Sequence, residues 1–368
     1  MVDSTRNNLD KNGENKVRVC LIGLLVAKSN GLLRRSLKSL VSLAELCDNG
    51  QVAVFSLKGI DRDKQFIQGY LYCSSEKTWI PSTFPIPNAI INRISLNRKW
   101  KGYFRRILGR KMINNFTFNK WQMYQWLSNN QVLRNYLPKT QLLTADKDLI
   151  NFLEQNKEAY IKPIFGSFGR GIMKISKHEE LYKIDFSFTK NQKKSSYLNK
   201  KELIAYFKDK KSKYIIQQVI DLYIGARPTD FRLIAVKNEL GKWQDLGIIA
   251  RKGRRGGLVS NTGMVKSGNP ALQNLLSIPR NEAVEIRKKM TQISIDAAKL
   301  MEKYGGTNGN LGNLGIDLAI DRNRNLWIIE MNHRNPRHKM AIDAGELDVY
   351  ISANKSLLNY ADHLAKLT

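Results

Sequence analysis

Between Gly315 and Asn332 the chain reads GIDLAIDRNRNLWIIEMN, two apolar runs flanking the polar turn Asp321–Asn325. That is a hairpin pattern. Folding about the turn sets Asp317 opposite Glu330, with Asn332 two residues further along the same face. Ile316, Leu318 and Ile320 then share the other, core face with Trp327, Ile329 and Met331. Two carboxylates facing each other across strands repel, so the arrangement needs compensation. A hard divalent cation supplies it, and Mg2+ typically takes a few carboxylates together with nucleotide phosphates. The alternative, a plain surface hairpin, leaves unexplained why Asp317 interrupts an apolar strand. Asp317, Glu330 and Asn332 are the candidate metal ligands.

A second segment points to the same chemistry. Residues 160–172 read YIKPIFGSFGRGI. A strand delivers Lys162, after which Gly166, Gly169 and Gly171 let the backbone turn sharply and approach a ligand. Successive N–H groups in such a turn cradle an anion, with Ser167 and Phe168 inside the loop. The lysine precedes the glycines, which fits neither the P-loop nor the Rossmann fingerprint. A glycine-rich hairpin beside a solvated lysine is the plain alternative. Further on, Gln217 and Gln218 end an apolar stretch and can offer amide and backbone groups to an adenine edge, although a hinge would look the same. Asp230 and Arg232 alternate on one strand and so point the same way. Arg251 follows another strand and precedes a glycine-rich loop, where it could stabilise charge on a transferring phosphoryl group. Lys252, Arg254 and Arg255 read as a solvated basic loop. The four histidines show no triad or metal spacing.

With 368 residues the chain is too long for one core and suits two or three compact units. Its charge is unusual: 61 Lys+Arg against 32 Asp+Glu give a formal +29. A field of that size favours an anionic partner without choosing one, and simple solubility is the competing account. Aromatics do not interleave with lysines as nucleic-acid stacking platforms do, which argues against nucleic acid. The longest apolar run, Val17–Ala27, is too short for a membrane span and lacks a signal-peptide cleavage site. Three cysteines without metal or disulfide spacing make a reducing cytoplasm the default.

Residues 1–15 are polar and aperiodic, an expected disordered tail. Alternating strands and helices then suggest an α/β domain over 16–115. Prolines 81, 85 and 87 mark loops before a strand at Ala89–Ile94. Residues 98–112 form a basic amphipathic helix, read as a linker packing its apolar face on the next domain rather than as a membrane or polyanion surface. Lys183–Lys213 is lysine-rich and reads as an exposed, partly mobile excursion. Hairpins are expected at 231–249 and 316–331, with long helices at 284–304 and 357–367.

Taken together, these segments resemble the ATP-grasp superfamily, and within it the YheC/YheD type named for spore-coat association. Residues 79–94, with WIP, PIPN and IINRI, look like that family's N-terminal region. NKW at 119–121 and LPKT at 137–140 look like the start of its ATP-grasp domain. Lys162 with the glycine loop, RPTDFR at 227–232, Gly315–Asp317 and Trp327–Asn332 complete the order. The resemblance implies a pre-ATP-grasp-like α/β domain, then a two-subdomain α+β ATP-grasp module over 116–368 with a lid at about 150–225. It implies ATP and Mg2+ as cofactors. The reaction would be a carboxylate–amine ligation through an acyl phosphate; the net charge of +29, not the resemblance, suggests an anionic acceptor such as an acidic peptide. An ATP-binding coat or envelope protein without turnover is the rival. By resemblance Lys120 and Lys162 hold phosphates, Gly166–Gly171 form the lid loop, and Gln217, Gln218, Val219 and Ile220 meet adenine. Asp230 or Arg232 lies near ribose or substrate, and Arg251 faces the acyl phosphate. Where many of these ligases continue with small residues after the last metal ligand, this chain has His333-Arg-Asn-Pro-Arg337.

Overall fold

The computed structural model describes residues 20–367 apart from 49, 167–168, 188–194, 262 and 337. The expected tail at 1–15 and the loop residues Ser167 and Phe168 therefore lie outside the described residues. The rest is a mixed α/β chain organised on three sheets.

The first sheet contains β1 (Cys20–Ala27), β2 (Gly50–Asp61), β3 (Phe66–Cys73), β4 (Thr78–Pro85), β5 (Ala89–Asn92) and β6 (Met112–Ile113), in the order β4-β3-β2-β1-β5-β6. β1 runs parallel to β2 and β5, while β3 and β4 are antiparallel additions. Pro81 and Pro85 lie inside β4, not in a loop. β4 is an edge strand, where a missing N–H costs no ladder bond, so the proline signal misled. One face of this sheet carries α1 (Asn30–Ser36) and α2 (Val41–Ala44). The other carries α3 (Arg98–Leu108), the basic helix. Its Tyr103 and Phe104 bury against Phe55, Ile67 and Phe84, so it packs back on the first sheet and not on the next domain.

α4 (Lys120–Ser128) leads to the second sheet: β7 (Thr140–Leu142), β8 (Glu158–Pro163), β9 (Met173–His178), β10 (Leu181–Phe186), β11 (Ser195–Leu198) and β12 (Tyr214–Gln217). Its order is β11-β10-β9-β8-β12-β7, antiparallel throughout. α5 (Asp146–Asn156) and α6 (Lys200–Phe207) supply its core, with Leu153, Leu203 and Phe207 buried. The described parts of the lysine-rich stretch 183–213 are thus mostly strand and helix, and the rest of that expected excursion, 188–194, lies outside the described residues. Only one face of a small sheet needs apolar cover, and the lysines occupy the rest.

The third sheet holds β13 (Tyr223–Ile224), β14 (Arg227–Lys237), β15 (Trp243–Lys252), β16 (Met264–Ser267), β17 (Asn313–Ile320) and β18 (Leu326–Asn332). Its main order is β16-β15-β14-β17-β18, with β13 paired to β14. α7 (Gly268–Leu276) and α8 (Arg280–Lys303) cover one face together with α4. After the short α9 (Met340–Asp343), α10 (Leu347–Lys366) inserts Ala353, Leu357 and Ala361 into a core shared by β1 and β5 of the first sheet and β14 of the third. That shared core fixes the first sheet against the third and so shapes the cleft between them. Among the described residues no helix is long and apolar enough to cross a membrane.

Candidate functional site

The site begins with the register of β17 and β18. Asp317 pairs with Glu330, and a bulge follows before Leu318 pairs with Ile328. The extra residue rotates the core face by one position, so Leu326, Ile328 and Met331 bury beside Ile316, Leu318 and Ile320. Trp327 and Ile329, expected in that core, are only part-buried. A bulge of this kind re-aims side chains next to a cleft. Asp317, Glu330 and Asn332 all line a cavity of about 1130 Å³.

The expected carboxylate repulsion is answered by protein cations. Arg232 on β14 is the register partner of Asp317; its Nε bonds Oδ1, and its Nη2 donates to Oδ2 at 3.0 Å. Arg251 on β15 lies opposite Asp230, donating from Nε at 2.7 Å and Nη2 at 2.5 Å, and its Nη2 also reaches Asp317 Oδ2 at 3.0 Å. All four side chains are buried. Burial works to raise the Asp317 carboxyl, but the Arg232 and Arg251 guanidiniums outweigh it and hold it below the usual carboxylate range. Burial likewise opposes the charge on Arg251, yet Asp230 and Asp317 hold its guanidinium above the ordinary arginine range. Glu330 takes Lys120 instead, whose Nζ lies 3.1 Å from Oε1 and donates to the Gly166 carbonyl at 2.9 Å. Asn332 Nδ2 approaches Asp317 Oδ2 at 3.4 Å.

Gly315 is required by this packing. A Cβ there would sit 2.8 Å from both Cδ and Nη1 of Arg232, which the ion pairs hold in place. Gly315→Ala is expected to destabilise the protein by about 1–3 kcal/mol, the usual cost of overpacking, as read from chemical denaturation. An unchanged midpoint would mean that Arg232 is free to move aside.

Lys162 on β8 and Gln217 on β12 meet across neighbouring strands of the second sheet. Lys162 Nζ donates to Gln217 Oε1 at 2.5 Å, and Gln217 Nε2 donates to Thr140 Oγ1 at 3.0 Å. Burial dominates the ammonium, and with Lys120 it outweighs Glu330 and lowers Lys162 to about 8. Gln218 accepts from the Lys139 N–H at 3.1 Å, Ile220 is buried and Val219 half-buried. Gly166, Gly169 and Gly171 all take positive φ, 135°, 71° and 74°, which only glycine adopts readily.

Of the residues read from the sequence, the cavity brings together Lys120, Gly166, Arg232, Arg251, Asp317, Glu330 and Asn332. Lys162, Gly169, Gly171, Asp230 and the 217–220 segment are not in its lining. Arg93 and Asn335, quoted within motifs by the sequence reading but given no site role, also line it and bond each other. The available signal was position: Arg93 directly follows a parallel strand, and ligands of open α/β sheets bind beyond the carboxyl ends of such strands. His333 is buried, stacks on Phe118 with ring centroids 4.0 Å apart, and is held neutral by burial at about 3.

The donor set suits magnesium. No group of three His, Cys, Asp or Glu side chains is placed to hold a metal among the described residues. Mg2+ does not need one, since it usually binds one or two carboxylates and completes its shell with water and phosphate oxygens. Glu330 and Asn332 face the cavity and meet that requirement, while Asp317 would join them only by exchanging its contacts with Arg232 and Arg251.

The three sheets and the cleft among them are those of ATP-grasp proteins. The D-alanine–D-alanine ligase from Coxiella burnetii superposes with a TM-score of 0.50 at 11% identity, covering 94% of this chain and 96% of that one. The VanG D-Ala:D-Ser ligase from Enterococcus faecalis gives 0.51 at 11% identity, covering 93% and 98%. Within that class the chain belongs to the YheC/D-like ATP-grasp family, whose model matches residues 109–364. Two Bacillus subtilis (strain 168) proteins are similar over most of their length. Endospore coat-associated protein YheD is 27% identical over 340 residues, spanning 86% of this chain and 73% of that protein. Endospore coat-associated protein YheC is 24% identical over 292 residues, spanning 76% and 78%.

Proposed function

We propose that the protein is an ATP- and Mg2+-dependent carboxylate–amine ligase. In the proposed reaction a substrate carboxylate oxygen takes the γ-phosphoryl group, releasing ADP. An amine then attacks the acyl carbon and expels phosphate. One observation carries the reading: Lys120, Glu330, Asp317 and Asn332 converge on a single cavity with two buried arginines. Asp317, Glu330 and Asn332 would hold Mg2+, which supplies charge neutralisation at the phosphates. Lys120 and Lys162 would bind phosphate oxygens, the Gly166–Gly171 loop would cover them, and Gln217–Ile220 would meet adenine. Asp230 or Arg232 would lie near ribose or substrate, and Arg251 would face the acyl phosphate. In the proposed division residues 16–115 form the first domain and 116–368 the ATP-grasp module.

The relatives' names favour a second reading, an ATP-binding coat-associated protein without turnover. ADP release from MgATP across a panel of carboxylates and amines separates the two: nucleotide binding with no turnover on any pair supports the second.

Lys162 gives a pH test. Its folded value, about 8, lies below the ordinary lysine value, so the unfolded chain binds the extra proton between about 8 and 10.4. The destabilising burial of its charge is therefore present below about 8 and is relieved as pH rises toward 10.4. A phosphate tail reverses the preference by stabilising the ammonium. ATP affinity should accordingly fall as pH rises above 8, and Lys162→Met should bind ATP weakly with that dependence gone. Equal affinity and an identical pH profile in a folded variant would remove Lys162 from the site.

A further inference from the structure

The cavity has a second end that the nucleotide reading leaves without a role. Seven cationic side chains line the cavity against three carboxylates. Lys120, Arg232 and Arg251 are matched by Glu330 and Asp317. Among the described residues Arg93, Lys266, Arg334 and Lys339 form no ion pair, and Asp343 is the one further carboxylate in the described lining.

Arg93 is the fixed member of that group. It follows β5, and its backbone N–H donates to the Leu25 carbonyl at 3.0 Å. Its Nε and Nη2 both donate to Asn335 Oδ1, at 3.0 and 2.6 Å. Its Nη1 is buried and bonds no described residue. Burial lowers the guanidinium, and only the Tyr350 hydroxyl opposes that. A buried donor without an acceptor on an always-charged group is costly, so its presence beside a cavity calls for an anion. Guanidinium geometry matches the planar carboxylate.

We infer that this end of the cavity binds a carboxylate of the second substrate, an acidic peptide or acidic amino acid, with Arg93 as its receptor and Arg334, Lys339 and Lys266 as surrounding charge. The word substrate rests on the ligase reading; the anion site itself does not. It accounts for a cluster of cations that the Asp317–Glu330 array does not neutralise.

The test is calorimetric titration of the full chain with tri-glutamate, its neutral isostere tri-glutamine, and free glutamate. ATP is titrated in parallel. Tri-glutamate should bind about tenfold or more tightly than tri-glutamine, and Arg93→Gln should weaken it by a similar factor, the scale of one charge-assisted hydrogen-bonded contact. ATP affinity should not change in that variant. Free glutamate binding as well as tri-glutamate identifies a single amino acid as the source, and weaker binding identifies a peptide. Should Arg93→Gln fail to fold, Arg334→Gln combined with Lys339→Gln alters less-buried positions and reads the same end. No tri-glutamate binding, or equal binding to both peptides or to wild type and variant, overturns the assignment. Loss of tri-glutamate binding in the variant, together with no ADP release by wild type across the carboxylate and amine panel, would instead leave the anion site standing and sink the ligase reading.

Discussion

Glu330→Gln is expected to fold, to melt close to wild type and to release no ADP. The first half follows from where the residue sits. Glu330 keeps a side-chain exposure of 28%, and its ionic partner among the described residues, Lys120 at 3.1 Å, is also solvent-touched. Pairs of that kind contribute under about 1 kcal/mol, because water screens the attraction and two long side chains lose freedom. The amide keeps the size of the carboxylate and can still accept from Lys120, so little packing is lost. The sequence alone suggested that removing this charge would relieve repulsion from Asp317. With Lys120 on one carboxylate and two arginines on the other, that relief is absent. The second half follows from the proposed chemistry. A neutral amide is a poor ligand for a hard cation, and the phosphates would lose part of their clamp. Loss of one preorganised charge at a transfer site costs on the order of a hundredfold or more in rate. Coupled-enzyme measurement of ADP, alongside a melting curve with and without MgATP, reads both halves. Normal turnover would take Glu330 out of metal binding. A collapsed melting temperature would make it structural.

The legible parts of the chain were those where backbone geometry and composition agree. A polar turn between apolar runs gave the β17–β18 pairing, and Asp317 does face Glu330. Three glycines after Lys162 marked a loop that takes positive φ at each. The bulge after Asp317 left no trace, because one extra apolar residue in WIIEM does not announce which isoleucine it displaces. Pro81 and Pro85 hid an edge strand, since sequence shows the missing donor but not that the donor would have faced no partner. The lysine-rich stretch 183–213 concealed the second sheet's outer strands for a similar reason: half a two-sided pattern was enough to pack it. The four-way charge cluster was least legible. Asp230, Arg232, Arg251 and Asp317 come from three strands, and only their registers bring two carboxylates and two guanidiniums together.

Asp317→Asn should act on that cluster in the opposite way from Glu330→Gln, through stability before chemistry. Asp317 is buried, and both its oxygens are engaged by Arg232, with Arg251 on Oδ2. Removing its charge leaves two buried guanidiniums to share Asp230, and breaking a buried pair from one side costs about 3–5 kcal/mol because the remaining charge is stranded. The sign with pH is fixed by the direction of the shift. The Asp317 carboxyl is held below its usual range, so its contribution is complete above the ordinary aspartate value of about 3.9 and is lost as pH falls through its folded value. Wild type and variant should therefore differ fully at neutral pH and converge in acid, where the wild-type carboxyl is itself protonated. Urea denaturation of the two proteins at neutral and acid pH measures the difference. A variant as stable as wild type at neutral pH would mean that Asp230 alone satisfies both arginines. In that case Asp317 would be free to exchange its arginine partners for a cation at no structural cost. A large loss means that any ion binding there competes with Arg232 and Arg251 for the same oxygens, and ligand binding must loosen a contact that holds β14, β15 and β17 together.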